Sequence, residues 1–380
     1  VVANPLTWLA FTDLVFIDPI GTGYSEAADN DKTSRDRLYG VRPDLRALGR
    51  IIELYLTRSD RWASPKYLVG ESYGGFRAAA LTDFLQTEFG ITVQGAVLIS
   101  PVLQFNLQEE EDYALAPWVV RLPTYAALAR LHGKSASEGD AAAAQQAAEK
   151  FSLDTMLPEL AEGDALPQAD RQALYRRLAD LTGLPGALVA RHRGRIPVAV
   201  FAKELLRDSG QVLSLYDGSL SNVDPEPARA EMHGPDAELS KINAKLTAAT
   251  VSYLHDELKV TTDRPYLVLN TEVARNWNWR SGRDGAHAPV GVASNLKAAL
   301  SRNPELRVII AQGYYDLVTP YFAAALVQRQ MGLAPGLREH LMLKVYDGGH
   351  MLYSHGPAQR QLFEDAQALI SGKPNAEKRG

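Results

Sequence analysis

The chain has 380 residues, of which 46% are hydrophobic, so it can bury one large core and is too apolar to be disordered throughout. Its 45 acidic and 40 basic side chains are spread along the sequence and leave a net charge of -5, which argues against a nucleic-acid partner. The absence of cysteine excludes a disulfide, a thiolate nucleophile and a cysteine-bound zinc ion. No apolar run approaches the ~20 residues that a membrane helix needs, so no membrane partner is predicted.

Short apolar runs alternate with helical patterns over the first hundred residues. The runs at 13–18, 67–69 and 93–99 predict strands, and the patterns around 45–55 and 75–89 predict helices. Strands that alternate with helices in this order form a mostly parallel sheet covered on both faces. This part of the chain therefore predicts an α/β fold.

The middle of the chain has a different pattern. Residues 108–290 show helical patterns rich in Ala, Leu and Arg, whereas strands are predicted again later, at 308–311 and 341–346. We therefore expect a core formed by residues 1–107 and 291–380, with a mainly helical cap inserted at 108–290.

The segment Gly70-Glu71-Ser72-Tyr73-Gly74 has a Gly-x-Ser-x-Gly pattern between an apolar strand and a helix. In the α/β-hydrolase fold this tight turn exposes the serine hydroxyl, and small residues are expected on both sides because Cβ atoms would not fit. The pattern predicts Ser72 as a nucleophile and the backbone N–H of Tyr73 as an oxyanion donor. The alternative is an ordinary glycine-rich turn.

A serine nucleophile needs a general base and an orienting carboxylate. In this fold the acid and then the histidine follow the serine, each just after a later strand. Asp316 follows the strand predicted at 308–311, and His350 follows the next one, with His355 as its near rival. Taken singly, Asp316 could be a helix cap and His350 a loop histidine. Their joint order and placement predict the triad with Ser72.

Aromatic residues of the insertion give a weaker signal. Trp118, Tyr125, Trp277 and Trp279 could line an apolar pocket under the cap, but aromatic side chains in a helical insertion are more often core. We interpret them as core, and Arg77, on the helix after the nucleophile, as structural.

Four segments resemble the serine carboxypeptidase family that includes carboxypeptidase Y, in its bacterial branch. They are residues 16–25, 70–75, 313–320 and 348–351. The Glu before the nucleophile and the Gly-x-Gly-aromatic-Ser run within 16–25 are more specific than Gly-x-Ser-x-Gly. The resemblance implies an α/β-hydrolase fold with a mostly parallel sheet flanked by helices, and the predicted insertion lies where the family carries its cap.

The resemblance also implies an activity, the removal of C-terminal residues from peptides or proteins through an acyl-enzyme. Ser72 would attack the last peptide bond, His350 would transfer the proton and Asp316 would hold His350. Tyr73 would supply one oxyanion donor. Glu71, when protonated, would hydrogen-bond the free carboxylate of the substrate, which favours acidic pH. A second carboxylate beside Glu71 should raise its pKa; the alternative is a buried acid paired within the turn.

One family motif is absent from the sequence. Asn-Gly-Gly-Pro-Gly, which precedes the Gly-x-Gly-aromatic-Ser run in the family and gives the second oxyanion N–H, has no match here. Losing one donor costs on the order of two to three decades in rate, and losing the strands around it should expose a sheet edge. We expect a natural protein that is longer at its N-terminus, or a separate N-terminal fragment that carries the motif.

Two other functions stay open. The same acyl-enzyme can form from an ester, which would make the protein an esterase or acyl hydrolase, and the absent oxyanion motif allows a non-catalytic, hydrolase-like binding protein. The triad needs no metal and no organic cofactor, so none is predicted. The family resemblance implies a periplasmic or secreted protein, although no residue of the sequence indicates a compartment.

Overall fold

The computed structural model describes residues 2–29, 32–135, 140–279 and 290–372. The helices, α1 to α15 in chain order, span Lys32–Leu38, Val41–Arg58, Tyr73–Phe89, Ala116–Leu131, Ala141–Phe151, Leu157–Glu162, Gln168–Thr182, Gly186–Arg191, Val198–Glu204, Ala237–Asp256, Thr271–Arg275, Ala293–Arg302, Tyr321–Gln330, Pro335–Arg338 and Gly356–Ser371. The strands, β1 to β6, span Tyr67–Glu71, Gly95–Ile99, Gln211–Leu213, Ser221–Val223, Arg307–Gly313 and Leu341–Tyr346. Among the helices described, none is long and apolar enough to cross a membrane.

Four parallel strands form the central sheet, in the order β1-β2-β5-β6. Side chains alternate between the two faces of a strand, so successive residues of β2 enter different clusters. Leu98 packs in the cluster that contains residues of α2, α3 and α12, whereas Val97 packs in the one that contains residues of α15. The result is a parallel sheet flanked by helices, which is the predicted α/β-hydrolase fold.

The carboxyl ends of the sheet strands lie at one edge of the sheet. In the register of the ladders, Glu71 pairs with Ile99, and Gly313 near the end of β5 pairs with Tyr346 at the end of β6. Loops that follow these strands therefore meet at the same place. In α/β folds this edge is where ligands bind.

The chain between β2 and β5 is mainly helical in its described part. Up to α12, which packs against the sheet, it contains helices α4 to α11 and the antiparallel hairpin formed by β3 and β4. Its hydrophobic cluster is separate from those of the sheet and includes the fully buried Leu128, Phe201 and Leu213. Leu317, which follows β5, belongs to the same cluster, so the interior of the insertion reaches the loop after β5.

The strand predicted at 13–18 is wrong, because this segment has no regular secondary structure and forms no ladder. Within the described residues β1 pairs only with β2, so its other edge is open. Phe16 is 89% exposed and Val69 of β1 is 49% exposed, as expected of an open edge. A cavity of about 1450 Å³ is lined by both residues. A strand needs a neighbour for its N–H and C=O groups, and an apolar run alone does not supply one.

The difference between the centre and the edge of the sheet gives a test. Leu98 of β2 is fully buried, so Leu98→Ala should lower the free energy of unfolding by about 2–5 kcal/mol. Val69→Ala at the open edge should cost less than about 1 kcal/mol, because half of that side chain is already in water. Urea unfolding of both variants measures the difference. Similar losses in the two variants would contradict this description of the sheet.

Candidate active site

Ser72 lies on a strained turn between β1 and α3. Its φ of 56° and ψ of -119° place a residue with a Cβ where glycine is favoured. The backbone N–H of Ser72 donates to the carbonyl oxygen of Ile99, 2.9 Å away, which ties the turn to the end of β2. Gly70 makes the turn possible, because a Cβ there would overlap the carbonyl oxygen of Gly74.

The expectation that small residues are needed on both sides of Ser72 is wrong for Gly74. Apart from its chain neighbours and the backbone of its own helix, no heavy atom of the described residues lies within 4 Å of a Cβ built at Gly74. The crowded position on that side is Gly75, where a Cβ would lie 2.8 Å from the Cβ of Pro101. The sequence pattern could not show this, because it does not say which carbonyl or side chain lies against each glycine.

Asp316 and His350 are in direct contact after β5 and β6. The Nδ1 of His350 lies 2.8 Å from the Oδ2 of Asp316, and the two side chains are 2% and 0% exposed. Asp316 also accepts hydrogen bonds from the backbone N–H groups of Val318 and Thr319, each 2.8 Å long, and from the Thr319 hydroxyl. The carboxylate therefore both closes the turn before α13 and orients the imidazole, which combines the two interpretations of Asp316.

The hydrogen bond to Asp316 fixes the tautomer of His350. With Nδ1 donating to a carboxylate, Nε2 is left as the acceptor that a general base requires. Burial lowers the pKa of His350, but the charge and hydrogen bond of Asp316, together with the charges of Glu71 and Glu238, outweigh burial and raise it. Among the hydrogen bonds of the described residues, none joins Ser72 to His350; such catalytic contacts often tighten only when substrate binds.

Glu71 is half-buried directly before the nucleophile. Its Oε2 accepts a hydrogen bond of 2.6 Å from the hydroxyl of Tyr353. Burial raises the pKa of Glu71, while the Tyr353 hydrogen bond and the charge of His350 oppose the rise. The predicted direction of the pKa shift is confirmed. The predicted cause is wrong in emphasis, because the nearby carboxylate of Asp316 contributes least and burial contributes most.

The backbone N–H of Tyr73 stands at the start of α3 and, in the part of the chain that the structure describes, donates to no backbone acceptor. The Tyr73 ring packs edge-on against Trp277 and Trp279, with ring centroids 5.3 and 5.5 Å away. The Arg77 guanidinium lies 5.0 Å from the centroid of the ring and pairs with Asp44. Arg77 therefore has the structural contacts that were expected of it.

The four aromatic residues of the insertion fall into two groups. Trp118 and Tyr125 are buried in the hydrophobic cluster of the insertion, as the core interpretation predicts. Trp277 and Trp279 instead pack against Tyr73, next to the nucleophile. Trp279 is 40% exposed, so part of its surface remains open to solvent beside the site.

Ser100 is a site residue that sequence reasoning missed. It follows β2, has a φ of 43° and is fully buried. Its hydroxyl donates to the backbone carbonyl of His350, 2.8 Å away, and its carbonyl oxygen lies 3.2 Å from the Thr319 hydroxyl. Ser100 thus connects the loops that carry the acid and the base. A Ser-Pro pair directly after a buried strand, at the edge where Ser72 also lies, was the available signal.

A comparison with known families assigns the chain to a family. The family model described as serine carboxypeptidase matches residues 1–341. The chain belongs to the serine carboxypeptidase family. This assigns it to the hydrolases of the serine peptidase type and confirms the predicted family, with the segments 16–25, 70–75 and 313–320 inside the matched range. The match ends before His350, whose place in the site therefore depends on the geometry alone.

Other comparisons add little. No curated protein matches the chain. Among solved structures, an acetylester hydrolase from Corynebacterium glutamicum is 15% identical, with 92% of this chain and 73% of that chain covered and a TM-score of 0.34.

The two glycines of the turn give a matched pair of variants. Gly70→Ala should disrupt the turn, because its Cβ would meet backbone that cannot move without displacing Ser72. Gly74→Ala should be tolerated, and could stabilise the protein by up to about 1 kcal/mol, because Gly74 lies in a helix with free space around it. Thermal unfolding and activity of both variants test this. Equal effects would contradict the assignment of the crowded position.

Glu238, in the first turn of α10, is a second buried carboxyl near the site. It is 5% exposed, and its Oε2 has no hydrogen-bond partner among the described residues. Burial, together with the charges of Asp217 and Asp236, raises the pKa of Glu238 from 4.5 to about 7. The native state therefore keeps Glu238 protonated to a higher pH than the unfolded chain does.

This shift in pKa predicts how stability depends on pH. A carboxyl whose native pKa is raised stabilises the fold at pH below its ordinary pKa and loses that contribution as the pH rises through about 7. Glu238→Gln should therefore unfold at a higher urea concentration than the wild type at about pH 8, with a smaller difference at about pH 4. A Gln variant that is less stable at the higher pH would contradict the raised pKa.

Proposed function

We propose that the protein is a serine-type carboxypeptidase that hydrolyses C-terminal peptide bonds of peptides or proteins through an acyl-enzyme on Ser72. The environment of Glu71 is the observation that distinguishes a carboxypeptidase from other serine hydrolases. Its carboxyl is next to the nucleophile, its pKa is raised, and within the described residues only its Oε2 is engaged, by Tyr353. A protonated carboxyl can donate to the free carboxylate of a peptide terminus, which is a feature that an endopeptidase or esterase substrate lacks.

The roles of the residues in this proposal follow from their contacts. The Oγ of Ser72 attacks the carbonyl carbon of the last peptide bond while the Nε2 of His350 takes its proton. Asp316 holds the Nδ1–H of His350 and stabilises the imidazolium. The N–H of Tyr73 donates to the developing oxyanion. His350 then returns the proton to the leaving amine, and water hydrolyses the acyl-enzyme by the same route in reverse.

The proposed preference for acidic pH depends on two groups that titrate in opposite senses. Glu71 must be protonated to bind the substrate carboxylate, whereas His350 must be neutral to act as a base. Activity needs a pH at which Glu71 is protonated and His350 is neutral. The raised pKa of Glu71 extends this pH range towards neutral pH, whereas the raised pKa of His350 shortens it at the acidic end. The groups are coupled, because the Glu71 carboxylate helps to raise the pKa of His350. Protonation of Glu71 therefore lowers the pKa of His350 and favours its neutral form.

The proposal includes the division of the chain into a core at 1–107 and 291–380 and a cap at 108–290. It also includes a separate N-terminal fragment as a source of the second oxyanion donor. The open edge of β1 and the cavity beside it support such a neighbour, since unpaired N–H and C=O groups of an edge strand can pair with another strand.

The substrate class can be tested with a blocked dipeptide and its C-terminal amide, at about pH 5 and about pH 8, with the Asn-Gly-Gly-Pro-Gly segment supplied. We expect faster hydrolysis of the free acid at the lower pH, because the protonated fraction of Glu71 falls as the pH rises. Glu71→Gln, which cannot ionise, should flatten the alkaline fall in kcat/KM for the free acid.

The control is Ser72→Ala, which should lose hydrolysis of both substrates. Equal rates on the acid and the amide at both pH values, or hydrolysis of simple esters alone, would overturn the carboxypeptidase assignment and favour an esterase. A complete absence of turnover, with the Asn-Gly-Gly-Pro-Gly segment present, would favour a non-catalytic binding protein.

A further inference from the structure

The loop of the β3–β4 hairpin reaches from the insertion into the site. We call residues 214–218 the hairpin loop. The carbonyl oxygen of Leu215 accepts from the backbone N–H of Leu317, 3.1 Å away, and the N–H of Gly218 donates to the carbonyl oxygen of Tyr315, 2.9 Å away. These two bonds hold the loop to both neighbours of Asp316.

The same hairpin loop contacts the segment that carries His350. The backbone N–H of His350 donates to the carbonyl oxygen of Tyr216 over 2.6 Å, and the Tyr216 ring meets the imidazole edge-on, with centroids 5.2 Å apart. A Cβ at Gly349 would overlap that carbonyl, so the two backbones touch directly. The main chain and the ring of the catalytic histidine are thus both in contact with the hairpin loop.

Asp217 anchors the hairpin loop through a buried carboxylate. Its Oδ1 accepts from the backbone N–H and the hydroxyl of Ser219, 2.9 and 2.6 Å away. Its Oδ2 lies 2.6 Å from the Nε2 of His355. A second histidine, His132, contacts the carbonyl oxygen of Gly218 at 2.8 Å. Because Asp217 is 1% exposed, these donors are what offset the burial of its carboxylate.

The hairpin loop and the segment that carries His350 are joined at two points, Tyr216 with His350 and Asp217 with His355. His355 is five residues after His350 on the same segment, and Asp217 follows Tyr216, which binds His350. The rival histidine is therefore paired with its own acid, separately from the pair formed by Asp316 and His350. Movement of the hairpin loop away from His350 requires the Asp217–His355 contact to break.

We propose that Asp217 and His355 are positioning residues for catalysis: their contact holds the hairpin loop of the insertion against His350 and so fixes the imidazole for proton transfer. This inference rests on the proposed role of His350 as the general base. It does not depend on the substrate being a peptide with a free carboxylate.

The test uses His355→Ala and His355→Gln. The Gln amide can place an N–H donor near the position of the His Nε2, whereas Ala removes the donor. The rate is measured on a 4-nitrophenyl ester, with the Asn-Gly-Gly-Pro-Gly segment supplied, because an activated ester needs the base but not the Glu71 contact. We expect Ala to lower kcat about tenfold or more with KM within about twofold, and Gln to restore kcat to within about threefold. His233→Ala, at an exposed histidine of the insertion, is the matched control and should leave kcat unchanged.

A second measurement is independent of turnover. The Nδ1 proton of His350, donated to Asp316, should give a low-field NMR resonance that is assigned by its loss in Asp316→Asn. We expect this resonance to be kept in His355→Gln and to be broadened or lost in His355→Ala. Far-UV circular dichroism establishes that each variant is folded. If His355→Ala does not fold, Asp217→Asn takes its place, with the same expected changes.

The outcomes separate this inference from the proposed function. Wild-type kcat and an unchanged resonance in His355→Ala would overturn the positioning role, as would equal defects in the Ala and Gln variants. If the wild type hydrolyses neither esters nor peptides, the proposed function fails, and the resonance alone still decides whether Asp217 and His355 fix His350.

Discussion

Asp316 carries a carboxylate that has no contact with solvent, and a buried charge is costly unless donors surround it. It has four, from the backbone N–H groups of Val318 and Thr319, the Thr319 hydroxyl and the Nδ1 of His350. Three of these donors lie on its own turn, and the fourth comes from a different loop. The need to satisfy this carboxylate therefore brings the histidine to the end of β5 and fixes which nitrogen carries the proton.

Other contacts bring the remaining parts of the site to the same edge. The parallel register places the ends of β1, β2, β5 and β6 side by side. Ser100 binds the backbone of His350 from the end of β2, and the hairpin loop binds it from the insertion. The insertion is therefore part of the structure that surrounds the base. Glu71 accepts a single hydrogen bond, from Tyr353, and burial raises its pKa and favours the protonated form.

Sequence patterns correctly predicted those elements whose structure depends on neighbouring residues in the chain. The turn at Ser72 and the strand at Leu341–Tyr346 are determined by a few neighbouring residues, and the structure has both. The apolar run at 13–18 failed, because a strand also needs a neighbour that its own residues do not encode. Ser100 was missed because its partners lie more than 200 residues away in the chain. The main cause of the Glu71 pKa shift was also hidden, because burial is a property of the packed protein.

The central claim is that Ser72 is a nucleophile activated by His350 and Asp316. The most direct measurement is the reaction of the protein with a fluorophosphonate, followed by peptide mass spectrometry to locate the phosphonylated residue. The account predicts an adduct on Ser72 that is absent in Ser72→Ala and forms at least about a hundredfold more slowly in Asp316→Asn, because the histidine is then held in the wrong tautomer. An adduct on another residue, or equal labelling of Ser72 in Asp316→Asn, would contradict it.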